Sequence, residues 1–145
     1  MIALIQRVTH AHVAINSDIV GQIDRGLVAL VAAVPDDTPQ RAARLADRVL
    51  SYRVFADQNG RMNHSAIDAS ASVLAVPQFT LAADTRRGNR PGFSTACPPE
   101  QAAPLFDAFV ARLQTYDLGV ATGRFGADMQ VSLTNDGPVT FWLTS

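Results

Sequence analysis

Apolar and polar positions along this chain follow three patterns, each of which predicts a different element. Ile2 to Val8 and His12 to Ile15 alternate in part, as half-buried strands do, and Gly26 to Val34 is a continuous apolar run that suits a fully buried strand. Asn16 to Asp18 and Gly21 read as the turns between them. After Pro35 the period becomes helical. Asp37 or Thr38 can cap, Pro39 suits a first turn, and Ala42, Leu45, Ala46, Val49 and Leu50 share one face. Tyr52 to Phe55 then predicts a short strand closed by a tight turn at Asp57, Gln58, Asn59 and Gly60. Ser72 to Ala83 is a second apolar strand in which Pro77, lacking a backbone donor, places a bulge, an edge or a break.

Asp84 to Phe93 is a polar loop. A second helix follows with Leu105, Phe106, Phe109, Val110 and Leu113 as its buried stripe, and its start falls at Pro99 or Pro104. Gln130 to Leu133 and Val139 to Leu143 return to strand, separated by Thr134 to Pro138. With more strands than helices, the chain is expected to form an α/β fold: a single domain over residues 1–145, with a strongly curved, barrel-like sheet and two main helices packed outside. Phe141 and Trp142 lie on opposite faces of the last strand. One ring must therefore be covered by something other than the main core, either a subunit interface or the end of the barrel.

Composition narrows the picture. A length of 145 residues, 48% of them hydrophobic, suffices for one packed core. Twelve basic residues, all arginine, nearly balance thirteen acidic ones for a net charge of -1, which argues against a general polyanion binder. A local patch at Arg86, Arg87 and Arg90 still leaves room for contact with a short stretch of nucleic acid. The lone Cys97 cannot form an internal disulfide, and the apolar start is broken by Gln6 and Arg7 before it reaches the length of a signal core or membrane span. A soluble, cytoplasmic protein with no membrane association is the expectation.

Few residues suggest chemistry by themselves. His10 and His12 would share a strand face but have no third metal ligand nearby, so no metal is expected. His64 reads as a polar turn residue before it reads as a base, and Cys97 as a small buried filler before a nucleophile. The chain has no GxSxG elbow, phosphate loop or GxGxxG, and no cofactor is implied. Two segments stand out. Gln78, Phe79 and Thr80 set an amide, a ring and a hydroxyl in succession at a strand end, where they could position a substrate; from physics alone an ordinary strand, with Gln78 and Thr80 on the face opposite Phe79, comes first. Asn135 to Thr140 is, taken alone, a turn rich in turn-formers.

Together these segments resemble the D-aminoacyl-tRNA deacylases of bacteria and eukaryotes. The resemblance runs along nearly the whole chain. It is carried by Met1 to Val8, Arg61-Met62-Asn63, Gln78-Phe79-Thr80-Leu81, Gly123-Arg124-Phe125 with Ala127-Asp128-Met129, and above all Asn135-Asp136-Gly137-Pro138-Val139-Thr140-Phe141. It departs at Pro77, where the family usually has a serine, so no role of that serine carries over. It departs again at Pro104, in a helix the family usually leaves uninterrupted.

The resemblance implies hydrolysis of the ester of D-aminoacyl-tRNA by a homodimer that binds the tRNA 3′ end. Gly137 and Pro138, joined by a cis bond, would enter the partner subunit's pocket and form a backbone gauge that rejects L-aminoacyl groups but not glycine. Thr80, with Gln78, would be catalytic. Thr80 reads either as a nucleophile or as a hydroxyl or N–H contact to the ester, and the second is favoured because no activating base is evident. The ribose 2′-OH would then assist water. Phe79, Phe125 and Met129 would shape the amino-acid and adenine pockets, and Arg7 would brace the Gly137-Pro138 loop. Two rivals stay open: a noncatalytic module for tRNA 3′ ends, and a hydrolase of small D-aminoacyl esters or peptides.

Overall fold

The computed structural model describes residues 1–94 and 96–145. Two long strands frame it. β1 (Ile2–Ile15) and β8 (Gln130–Thr144) run antiparallel, with Ile2 opposite Thr144 and Ala14 opposite Gln130. The other edge of β1 is shared. Its first half pairs with β3 (Gly26–Ala32) and its second with β2 (Asp18–Ile23), so β1 must bend to serve both. Pairing continues in parallel from β3 to β6 (Ser72–Pro77) and from β6 to β7 (Val120–Thr122). Parallel pairs need crossovers, and these carry the helices: α1 (Pro39–Ser51) between β3 and β6, and α2 (Pro99–Leu113) between β6 and β7. A small hairpin of β4 (Phe55–Ala56) and β5 (Met62–His64) lies in the first crossover.

The sheet curls until its far edge nearly meets its start. A Cβ placed on Gly21 of β2 would stand 2.6 Å from the carbonyl oxygen of Thr122 in β7, so only glycine permits this approach. The mixed, barrel-like sheet with two helices outside agrees with the expected fold. Its concave side is filled by Val8, Ala11, Val13, Ile23, Val28, Leu74 and Val76. The convex side, with Ala3, Ile5, Leu27, Ala29 and Val31, packs against both helices.

α1 buries the five residues its periodicity predicts. Burial of each leucine is worth roughly 1.5–3 kcal/mol. Thr38 is the N-cap, its hydroxyl accepting from the Arg41 N–H at 3.3 Å. Asp37 instead ties down the chain start, its buried carboxylate holding the Met1 ammonium at 2.5 Å and accepting from the Val34 N–H at 2.7 Å. α1 and α2 are tied by Arg112, which donates to both Asp47 oxygens at 2.7 and 3.2 Å, while the Tyr116 hydroxyl donates to Asp47 at 2.9 Å.

Several boundaries differ from the sequence reading. Ile2–Val8 and His12–Ile15 are one strand, because register shifts around Val8 let it bend without ending. Gly21 lies inside β2, and the turn is made by Asn16 and Ser17, both at positive φ. The second apolar strand stops at Pro77, and Phe79–Ala82 forms a 3-10 turn. Of Tyr52 to Phe55 only Phe55 is in a strand. α2 begins at Pro99, and Pro104 sits within it on the exposed side, where water can meet the carbonyl its ring leaves unpaired. Asn135 to Pro138 bulges from within β8 instead of separating two strands.

Candidate functional site

The site begins where β6 runs out. The Gln78 N–H still donates to Val31 of β3 at 2.8 Å, after which the chain turns into the 3-10 segment and leaves the sheet. That turn lifts Phe79 into solvent with its ring 57% exposed, resting on Phe93 at a centroid distance of 5.1 Å and an interplanar angle of 52°. The Gln78 side-chain amide donates to the Thr80 hydroxyl, its one side-chain partner among the described residues. A 3-10 turn leaves its first N–H groups without intrahelical acceptors. Among the described residues nothing accepts from the N–H of Phe79 or Thr80.

Beside this turn opens a cavity of about 570 Å³. One wall is Val76, Pro77, Gln78 and Phe79, and the floor is Cys97 to Pro99 and Ala102 at the start of α2. Phe125, Gly126, Ala127, Met129 and Val131 form the opposite wall. That wall is folded by its own sulfur: Met129 Sδ accepts from the Arg124 N–H at 3.3 Å and fills the space against Gly123, where a Cβ would come within 2.8 Å of it.

The cavity is electrostatically quiet. Of the described residues lining it only Cys97 is ionisable, and burial, with Asp37 and Glu100 nearby, pushes its thiol pKa up, away from a reactive thiolate. No group of three metal-ligating side chains occurs among the described residues. His10 makes contacts with Thr9 and Thr134, and with His12 and Asp24 it lines a separate depression away from this cavity. What the cavity offers is apolar shape, one amide, one hydroxyl at its lip, and free backbone donors beside them.

Gly137, Pro138 and Arg7 form a second cluster that does not line this cavity. Their bulge is built by side-chain to backbone bonds: Asn135 Oδ1 accepts from the Val139 N–H at 2.8 Å and Asn135 Nδ2 donates to Thr140 at 2.8 Å. Arg7 sits beneath, donating through Nε to the Asp136 carbonyl at 3.1 Å and through Nη1 to the Val54 carbonyl at 2.6 Å. Its Nε also lies 3.2 Å from the Asp136 carboxylate. The Gly137–Pro138 bond is cis, and both residues are exposed.

Thus Gln78, Phe79, Phe125 and Met129 come together around one cavity with Thr80 at its lip, whereas Gly137, Pro138 and Arg7 stand apart. Sequence reasoning missed Phe93 and the floor from Cys97 to Ala102. Phe93 follows a polar loop with no periodicity, and only closure of that loop brings it to Phe79.

Comparison with known proteins bears on this arrangement. The family model described as D-Tyr-tRNA(Tyr) deacylase matches residues 4–144. A protein of Cronobacter sakazakii named D-aminoacyl-tRNA deacylase is 57% identical over 99% of both chains. Another of that name from Halorhodospira halophila is 58% identical over 99% of this chain and 94% of its own. A solved structure titled c-Myc DNA Unwinding Element Binding Protein superposes with a TM-score of 0.94 at 38% identity, covering 100% of this chain and 99% of the other. One titled as a probable eukaryotic D-amino acid tRNA deacylase shares the fold, with a TM-score of 0.87 at 17% identity over 98% and 97% of the chains. With the family model matching residues 4–144 and relatives of such identity along nearly their whole lengths, the chain belongs to the D-aminoacyl-tRNA deacylase family of hydrolases.

Proposed function

We propose that the protein hydrolyses the ester joining a D-amino acid to the terminal adenosine of tRNA, releasing both. The observation that carries this is the apolar cavity with the Gln78 and Thr80 pair at its lip, in a chain so close to proteins named for that reaction. The cavity takes the aminoacyl adenosine, with Phe79 as a stacking surface and Phe125 and Met129 as the facing wall. The tetrahedral intermediate needs donors for its oxyanion, and the free backbone N–H groups of Phe79 and Thr80 supply them.

Threonine is a weak nucleophile without a base, and the Thr80 hydroxyl is bonded to an amide. This supports attack by water assisted by the ribose 2′-OH. Gly137 and Pro138 read chirality with backbone carbonyls. Since neither lines the cavity of its own chain, the reading is of a homodimer in which each bulge enters the partner's cavity. An L-side chain is driven into that wall, a D-side chain is directed away, and glycine has none to clash.

The test is release of amino acid from D-tyrosyl-, L-tyrosyl- and glycyl-tRNA by purified protein with chelator present. D-tyrosyl-tRNA should be cleaved, glycyl-tRNA partly, and L-tyrosyl-tRNA spared; equal D and L rates sink the gauge. Thr80→Ala separates the mechanisms, near-normal turnover favouring RNA assistance and full loss a side-chain role. The solved relative titled as a DNA-binding protein gives one alternative its support, a noncatalytic module for nucleic-acid ends. It predicts that D-tyrosyl-tRNA is bound and left intact.

A further inference from the structure

Beyond the cavity rim the chain makes a closed loop. Asp84 and Gly92 pair through two backbone bonds of 2.8 and 2.9 Å, and the next residue is Phe93, which stacks on Phe79. The base of the loop is therefore fastened to the mouth of the site. Inside it stand three arginines, and they are not equivalent. The Asp84 carboxylate accepts from the Arg86 backbone N–H at 3.0 Å and from Nε and Nη2 at 2.8 Å each, so Arg86's charge is spent on holding the loop's shape. These bonds hold the Asp84 carboxyl well below its usual range.

Arg87 and Arg90 are exposed, and neither has an ion-pair partner among the described residues. No acidic residue occurs between Asp84 and Glu100, and the facing wall carries one exposed charge of each sign, Arg124 and Asp128. In a chain of net charge -1, two free guanidinium groups on a braced loop beside an exposed aromatic ring are a local electropositive arm.

We propose that Arg87 and Arg90 grip the phosphates of the single-stranded RNA end just inside the terminal nucleotide, while Arg86 only shapes the loop. The inference rests on the deacylase reading and takes the RNA backbone out of the cavity past Phe79 and Phe93, the side on which this loop stands. Arginine forks suit phosphate oxygens, and stacking joined to a basic track is how single strands are commonly held.

The experiment compares wild type with the Arg87→Gln/Arg90→Gln double variant on D-tyrosyl-tRNA and on 3′-O-(D-tyrosyl)adenosine, which has no phosphate. Each single-strand phosphate contact contributes roughly 0.7 to the log–log salt slope. Between about 50 and 200 mM salt, wild-type kcat/KM on the tRNA should therefore fall about sevenfold more than the variant's. The adenosine ester should be cleaved equally by both. A variant with the wild-type salt slope on tRNA, or one that loses both substrates alike, overturns the arginine assignment. Wild type that cleaves neither substrate overturns the deacylase reading and this inference with it.

Discussion

At the scale of single residues, Gly137 carries the sharpest constraint. Its φ is +142°, and a Cβ there would lie 2.6 Å from Val139 Cγ2 and 3.0 Å from the Val139 nitrogen, with Arg7 Nη2 at 3.3 Å. An L-residue at that φ costs about 1–3 kcal/mol. Gly137→Ala should move the bulge and lower kcat/KM on D-tyrosyl-tRNA by roughly ten- to a hundredfold. The melting temperature should fall by only a few degrees, because the exposed bulge can shift to relieve part of the strain; an active, still enantioselective variant would refute the role given to the bulge. The sequence singled out these residues only through resemblance. Taken alone, Asn135 to Pro138 is turn chemistry, and nothing in it announces that β8 continues on either side. Arg7 was singled out in the same way, and it donates to the carbonyl of Asp136, the residue before Gly137.

Elements were legible wherever one face decides the pattern. The stripe of α1 is the stripe its sequence predicts, and four of the five apolar residues expected for α2, Leu105, Phe106, Phe109 and Leu113, are buried. Strands escaped where neighbours decide. β7 is three residues held between β6 and the glycine of β2, and β2 itself carries Gly21 where a turn was expected. How the helices meet was also outside the sequence, since Asp47 and Arg112 lie far apart along it. The Arg112 guanidinium holds the Asp47 carboxyl below its ordinary value, helped by the Tyr116 hydroxyl and opposed by partial burial. A lowered pKa in the folded state means stability that is complete above the unfolded value of about 3.9 and is lost as pH falls through the folded one. Asp47→Asn should thus lower the melting temperature at pH 7, by no more than about 4 °C because the partners are 42% and 40% exposed. Below about pH 4 the difference from wild type should shrink, and a gap unchanged across that range would exclude the pair as its source.

For the whole molecule, the remaining question is what covers the outer end of the sheet. Trp142 is 52% exposed, whereas Phe141, on the other face, packs edge-on against Tyr52 at 5.3 Å. About half of the Trp142 ring is left uncovered by the described residues of this chain. Leu4 lies opposite both Trp142 and Leu30, so the three make an apolar row across β8, β1 and β3. A second copy laid on that row suits the proposed dimer. Light scattering at assay concentration should give twice the chain mass, and Trp142→Glu should give monomers that no longer cleave D-tyrosyl-tRNA. Monomeric wild type with full activity would rule out the shared site.

The pairing of β1 with β8 also sets a timetable. Ile2 finds its partner at Thr144, so β1 leaves the ribosome long before the strand that pairs with it. Until then β1 can be zipped only along the edge that takes β2 and β3, and its other edge stays open over nearly its whole length. Such distant closure makes folding slow and leaves an unpaired edge available to other chains. A nascent chain truncated before Gln130 should therefore aggregate readily, with the Phe79–Ala82 turn already made and the sheet that supports it unfinished.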